Sequence, residues 1–551
     1  MLATVGTGYV PTNGWKGPPV QESVLTSPSL TRRSVVHAVS AVGSTLLAPT
    51  LPAQAQAPAT TAPATPPRFV YDDVLRRARE LATAPFDGGA ARLPEGFDKL
   101  DYDAWRDIRF RPDRAFFANS GGPYRLQLFH LGHLYRRPVT INLIRDGIAS
   151  PIPYTSNLFD YGRTKIDRPP PIGTGFAGFR LHFPINDPRV FDEVIAFIGS
   201  SYFRFLGRGQ HYGVSARGLA IGAGTPDEEF PFFREFWIET PEGQNDRATI
   251  YALLDGRSVT GAYRFELYPG ADSSLEVRAT LFPRLPNVKF GYAPLTSMFF
   301  LGENDRRFNE DFRIELHDSD GLLVNNANGE WVWRPLRNPS ALSGSWFSAR
   351  DVRGFGLVQR DRAFINYQDL DLNYELRPTY WVEPHEGFSD GAVELVELPT
   401  PDETNDNIVA SFLPREAPPA NAPVNLAYRI VASLDLPRLS PNGRAINTFQ
   451  TVARALGSRE IPPPRSRRFL IDFAGGDLAY FGSDPSLVEV VPSIANGKIL
   501  NAFVIANSHI KGLRAVLDVQ VNEAQTADIR AFLRSQGRAL TETWTFPLTI
   551  A

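Results

Sequence analysis

An all-β fold, a large sandwich followed by a smaller one, is what this 551-residue sequence predicts. Three observations carry it: short segments of alternating or β-branched and aromatic residues recur throughout, clusters of Gly, Pro, Asn and Asp separate them, and helical periodicity is scarce. A chain of this length is too long for one hydrophobic core, so at least two domains are expected.

Taken in order, residues 1–57 read as an export signal with an N-terminal extension. Arg32 and Arg33 lie between Thr31 and Ser34, a mildly apolar stretch runs from Val35 to Leu51, and small residues at Ala53, Ala55 and Ala57 offer cleavage sites. The pattern is that of the twin-arginine pathway, which places the mature protein in the periplasm. The apolar stretch contains His37, serines and a proline, so it is a poor permanent membrane span. An Ala/Thr/Pro-rich linker follows over 58–67.

A short helix is predicted from Phe69 to Thr83, with Asp72 and Asp73 in its first turn and Val74, Leu75 and Leu81 at helical spacing. Strands are predicted at Ala262–Leu267, Phe312–Leu316, Trp331–Trp333 and Val393–Leu395, with turns at 268–272 and 325–329. The pattern lapses around Pro437, Pro441 and Pro462–Pro464, then resumes at Phe469–Phe473 and Trp544–Phe546. The large domain is therefore assigned to 68–433, a linker to 434–446 and the smaller domain to 447–551.

Composition narrows the function. A net charge of −3 argues against a nucleic-acid groove or an anionic membrane surface and favours a neutral partner. Cysteine is absent, which removes disulfides, thiolate nucleophiles and thiolate-held metals. His317 has no second histidine at ligand spacing, so neither a metal nor another cofactor is expected. Gly-x-Ser-x-Gly and Gly-x-Gly-x-x-Gly motifs are both missing, which speaks against serine-triad and dinucleotide chemistry.

Between about 317 and 407, carboxylates and large aromatics occur together at a density found nowhere else in the chain. Aromatic faces suit the apolar face of a pyranose, carboxylates and Arg suit its hydroxyls, and glycoside cleavage requires two carboxyl groups. The same residues read equally as a buried sheet core and as turn caps.

Whole phrases of the sequence resemble the MdoG/OpgG and OpgD family of periplasmic glucan proteins. They include YDAWRDIRF from Tyr102, YGVSARGLAI from Tyr212, APLTSMF from Ala293, HDSDGL from His317, GEWVWRPL from Gly329, GFGLVQRDR from Gly354 and ETNDNIV from Glu403. The resemblance spans nearly all of the chain from residue 68. It implies a galactose-mutarotase-like β-sandwich followed by an immunoglobulin-like domain, and action on osmoregulated periplasmic glucans with a β-1,2-linked glucose backbone, by hydrolysis or transglycosylation. Carried over residue by residue, it makes Asp406 the general acid and Asp318 the general base, with an inverting outcome. Tyr374, Arg377, Trp381, Glu383, His317, Trp333 and Tyr367 take substrate-binding positions. The alternative it leaves is a non-catalytic glucan-binding partner of the membrane glucosyltransferase. Oligomeric state stays open, a homodimer included. One departure stands out: the stretch from Leu456 to Arg467, where glucanase members carry a long Trp-containing lid, is short and lacks aromatics.

Overall fold

In a computed structural model, the described residues are 68–550, except 89–92, 94–95, 166–169, 242, 244–245, 307–309, 435–438, 455–456, 458 and 460. The export signal, the 58–67 linker and part of the shortened lid stretch therefore lie outside the described residues. Two large sheets, of ten and fifteen strands among the described residues, dominate the architecture. Their facing sides share one aromatic and aliphatic core. Phe197 and Phe203 of the ten-stranded sheet meet Phe236 and Phe265 of the other at centroid separations of 5.2–5.4 Å. Edge-on and offset rings of this kind fill a sheet interface densely.

The outer sides of the two sheets differ. Helix Tyr71–Thr83 covers the fifteen-stranded sheet, burying Val74 and Ala78 against Trp237, Tyr251, Leu253 and Phe282. Its start is fixed by Asp73 Oδ2, which accepts from the Val70 N–H at 3.0 Å, and by the Tyr71 hydroxyl, which donates to Ala262 O at 2.9 Å. The helix explains why strand Ala248–Asp255 has no exposed face and no polar alternation: both of its sides are covered. Among the described residues no helix of this length covers the ten-stranded sheet, although its central strand Phe290–Ser297 is buried throughout. Along its strands core residues alternate with polar ones, so Phe203 and Phe205 face in and Arg204 faces out, as do Ser215 and Arg217 beside Val214 and Ala216.

Beyond residue 443, strands Arg444–Thr451, Ser466–Ala474, Gly512–Val521 and Gly497–Asn507 form a four-stranded sheet. It packs on strands Glu489–Ala495, Thr526–Ser535 and Thr543–Thr549, which extend the fifteen-stranded sheet through the parallel pairs Val332↔Thr543 and Trp333↔Trp544. The C-terminal sandwich thus shares its core with the large one: Phe469, Leu517, Ile529 and Trp544 cluster with Leu323, Trp333, Val358 and Trp381. The chain from Arg68 onward falls within one compact unit. Strand Arg444–Thr451 begins inside the stretch expected to be a linker.

The helix and the strands expected at 262–267, 331–333, 393–395, 469–473 and 544–546 are present. The strand expected over Phe312–Leu316 is not. Only Leu316 enters a strand, Leu316–His317, while Phe312 is 71% exposed. The alternation there is overridden by Arg313, whose guanidinium is held by Asp311, Asp369 and Glu403, and by the N–H groups of Ile314 and Glu315, both bonded to Asn366 O.

Trp544 is fully buried in the shared core and donates from Nε1 to Thr448 Oγ1 at 2.9 Å. Trp544→Ala is expected to cost about 3–5 kcal/mol of stability, through the cavity and the stranded Thr448 hydroxyl, as measured by denaturant unfolding.

Candidate active site

Strand Phe290–Ser297 and the residues just after it organise the site. On one edge Ser297 pairs with Ile408, and on the other Phe299 pairs with His317. Asn407 locks the first edge: its Oδ1 accepts from Phe299 N at 2.8 Å, its Nδ2 donates to Phe299 O at 3.0 Å, and its backbone N–H donates to Ser297 O at 3.1 Å. The Asp318 N–H donates to Met298 O at 2.8 Å on the second edge. Asp406 and Asp318, 88 residues apart in sequence, are thereby set on either side of residues 297–299.

Their electrostatic settings differ. Asp318 is 4% exposed and its carboxylate forms an ion pair with the buried Arg377 guanidinium. Arg377 lies 3.6 Å over the Tyr374 ring, and the Tyr374 hydroxyl donates to Glu403 Oε2 at 2.6 Å. Glu403 also accepts two bonds from Arg313, at 2.9 and 3.1 Å. The loop that carries Asp406 therefore also braces the arginine that holds Asp318. Backbone must come close to that arginine: a Cβ at Gly213 would lie 2.8 Å from Arg377 Cδ, so only glycine fits there.

Burial pushes the Asp406 carboxyl above the usual aspartate range, against the pull of Arg204, Arg217 and Arg377. Its Oδ2 is buried and has no hydrogen-bond partner. One carboxyl is thus biased toward its protonated form while the other faces a guanidinium, and Arg377 influences both.

The family described as "Periplasmic glucan biosynthesis protein, MdoG" matches residues 69–548. The chain belongs to the MdoG family. Among its relatives, Glucans biosynthesis protein G of Ralstonia nicotianae is 44% identical over 485 residues, covering 87% of this chain and 96% of the relative. Glucans biosynthesis protein G of Pseudomonas aeruginosa PAO1 is 41% identical over 486 residues, covering 87% and 93%. The Probable glucans biosynthesis protein D of Shewanella oneidensis is 41% identical over 485 residues, covering 87% and 89%. Membership puts this chain in periplasmic glucan biosynthesis.

Of the residues for which the MdoG-family resemblance implies sugar contact, Arg377 and Tyr374 join the two aspartates, though Tyr374 is buried beneath Arg377. The others sit elsewhere or deeper. Trp333, Trp381 and Tyr367 are at most 5% exposed, so none offers a ring face to a sugar here. Trp333 lies under Arg360, 3.5 Å from its ring centroid, and Trp381 stacks on Trp331 at 5.7 Å within the shared core. Tyr367 and Gln359 hold each other beneath the site at 2.8 Å. Glu383 is ion-paired with Arg429 at 3.6 Å and lies about 13 Å along its strand from Thr379, away from the Asp318–Arg377 pair.

His317 is buried as well. Phe299 stacks on it, Glu315 Oε2 lies 3.1 Å from Nε2, and Gln359 Oε1 and Asp320 Oδ1 lie 3.0 and 3.2 Å from Nδ1. Burial pulls its pKa down, but Asp320, Glu315 and Glu303 outweigh this and raise it to about 9. Burial together with Glu315 and Asp320 raises Glu303 to about 8, and burial raises Asp320 to about 6. His317 is thus the counter-ion of a buried acidic cluster. No group among the described residues is arranged to hold a metal.

The residues not singled out beforehand are Arg204, Arg217 and Arg313. For the first two a signal existed: each is a charged residue between core positions of a strand, which aims it at the opposite side of the sheet.

The His317 cluster generates a pH prediction. A group whose folded pKa is raised stabilises the fold fully below its unfolded value and loses that contribution as pH climbs through the folded one. His317, raised from 6.5 to about 9, and Glu303, raised from 4.5 to about 8, act in the same direction. The melting temperature is expected to fall between pH 6.5 and 9, and His317→Gln to flatten that slope. Equal slopes in both proteins would contradict the assignment.

Proposed function

We propose that this protein cleaves or transfers β-1,2-linked glucan chains in osmoregulated periplasmic glucan biosynthesis, with Asp406 as general acid and Asp318 as general base. The observation that carries this reading is the pair itself: two carboxyl groups flanking residues 297–299, one raised by burial with an unpartnered oxygen, the other facing a guanidinium. That contrast is what acid–base cleavage of a glycoside requires.

In the proposed step, the Asp406 proton passes to the glycosidic oxygen as the C1–O bond breaks, and Asp318 accepts a proton from the attacking water or acceptor hydroxyl. The electron pair of the broken bond stays on the protonated leaving oxygen. Attack from the face opposite the leaving group inverts the anomeric carbon. Because Asp318 is buried, its proton arrives through a sugar hydroxyl or a water. Arg204, with the half-buried Tyr202 and exposed Phe230 that pack on the buried Arg217, supplies hydroxyl-binding and ring contacts.

Linear β-1,2-glucan incubated with the purified protein is expected to yield shorter or rearranged chains on chromatography. Asp406→Asn and Asp318→Asn should each lower the rate by more than about a hundredfold while glucan binding persists. The rate should decline as pH rises past the elevated Asp406 pKa. Unaltered polymer with wild-type protein that nonetheless binds it would remove the enzymatic reading and leave a glucan-binding partner of the membrane glucosyltransferase.

A further inference from the structure

The open, polar side of the ten-stranded sheet carries a second feature, at the opposite end from strand Ser343–Arg350. Strands Arg125–Phe129 and Gly178–Phe183, with segment 109–118, enclose a cavity of about 710 Å³. Three strands separate it from strand Phe290–Ser297, about 19 Å at the usual strand spacing. It is therefore distinct from the Asp406–Asp318 pair.

Its ionised walls are unbalanced. Four guanidinium groups, Arg109, Arg111, Arg125 and Arg180, face two carboxylates, Asp113 and Asp160, an excess of two positive charges on a chain of net charge −3. Two of the arginines are committed to the scaffold. Arg180 donates to Gln127 Oε1 at 2.9 Å and to Glu193 Oε2 at 3.0 Å. Arg125 donates to the carbonyls of Gly122 and Tyr124 and lies 4.1 Å over the Phe191 ring.

The other two arginines, at the exposed mouth, are under-neutralised. Asp113 is shared between Arg111, at 3.3 Å, and Arg114, at 3.4 Å. The Arg109 guanidinium has no hydrogen bond or ion pair with a described residue: its cross-strand neighbour Asp160 spends Oδ1 on the Gly162 N–H at 3.0 Å, and Asp107, whose carboxyl it helps to hold below the usual aspartate range, is paired with Arg163 at 3.0 Å. Burial lowers the His182 pKa, so the imidazole adds no charge at neutral pH. Pro112 and Ala115 complete an apolar wall.

We propose that this cavity binds a small organic oxyanion, a carboxylate or phosphate ester, whose charged end is taken by Arg109 and Arg111 and whose body rests on Pro112 and Ala115. Guanidinium pairs suit planar or tetrahedral oxyanions, and a neutral saccharide gains nothing from an uncompensated positive field. Cavities of about 300–1,000 Å³ hold ligands much larger than a bare phosphate. The inference does not depend on the catalytic reading.

Titration calorimetry of the full chain at low ionic strength tests it, with glucose 6-phosphate, citrate, inorganic phosphate and glucose as probes. Glucose 6-phosphate or citrate should bind saturably, inorganic phosphate more weakly and glucose not at all, and added NaCl should weaken the binding. Whichever organic anion binds more tightly identifies the phosphate ester or the carboxylate as the preferred group. The double variant Arg109→Gln/Arg111→Gln, whose side chains are exposed and whose melting temperature should stay near wild type, should lose about tenfold or more in affinity. Asp406→Asn should bind as wild type does. Absence of saturable binding by both organic anions, unchanged affinity in the double variant, or equal binding of glucose would each overturn the proposal.

Discussion

Hydrogen bonding on both edges of residues 297–299 is the constraint on which the candidate site depends. Asp318 and Asp406 lie in segments with no sequence proximity, and neither segment is a long strand: one follows the two-residue strand Leu316–His317, the other is a loop ending at Asn407. Both are pinned to the same short backbone stretch, one through the Asp318 N–H and the other through three bonds from Asn407. An asparagine that satisfies both the N–H and the C=O of Phe299 replaces a sheet partner and ends the ladder without leaving buried polar groups unpaired.

Around this scaffold the charges are arranged so that burial and ion pairing oppose each other to different extents at each carboxyl. At Asp318 the guanidinium of Arg377 is in direct contact, and at Asp406 three arginines act from a distance and burial prevails. Deeper in, the acidic cluster around His317 reaches the C-terminal sandwich, since Glu303 accepts from the Thr448 N–H at 2.9 Å. Arg360 makes a second tie by pairing with Glu542, whose Oε1 also accepts from Ala445 N at 2.9 Å. The C-terminal sandwich is thus joined to the site region by continuous sheet, shared core and buried ion pairs together.

The two large sheets differ in what covers their outer sides. The helix Tyr71–Thr83 seals the outer side of one, which is why its central strands are apolar on both faces. The other presents a polar outer side, on which the Asp406 arginines and the basic cavity are separate features of one surface. The polar side chains that alternate with core residues along these strands are the raw material for both.

The sequence by itself determined the all-β class, the helix Tyr71–Thr83 and most of the strands singled out, because period-2 patterning and turn residues are local properties read within a few residues. It also made Asp406 and Asp318 worth pairing, through phrases shared with a family rather than through any spacing rule. Tertiary structure alone decided the rest. It turned Trp333, Trp381, Tyr367 and His317 inward, since an aromatic beside a carboxylate looks the same in sequence whether it lines a cleft or a core. It dissolved the strand expected at Phe312–Leu316, because Arg313 found two carboxylates, Asp369 and Glu403, that are distant in the chain. And it brought four arginines from three segments around one cavity, a convergence of charge set by strand order, which no local pattern encodes.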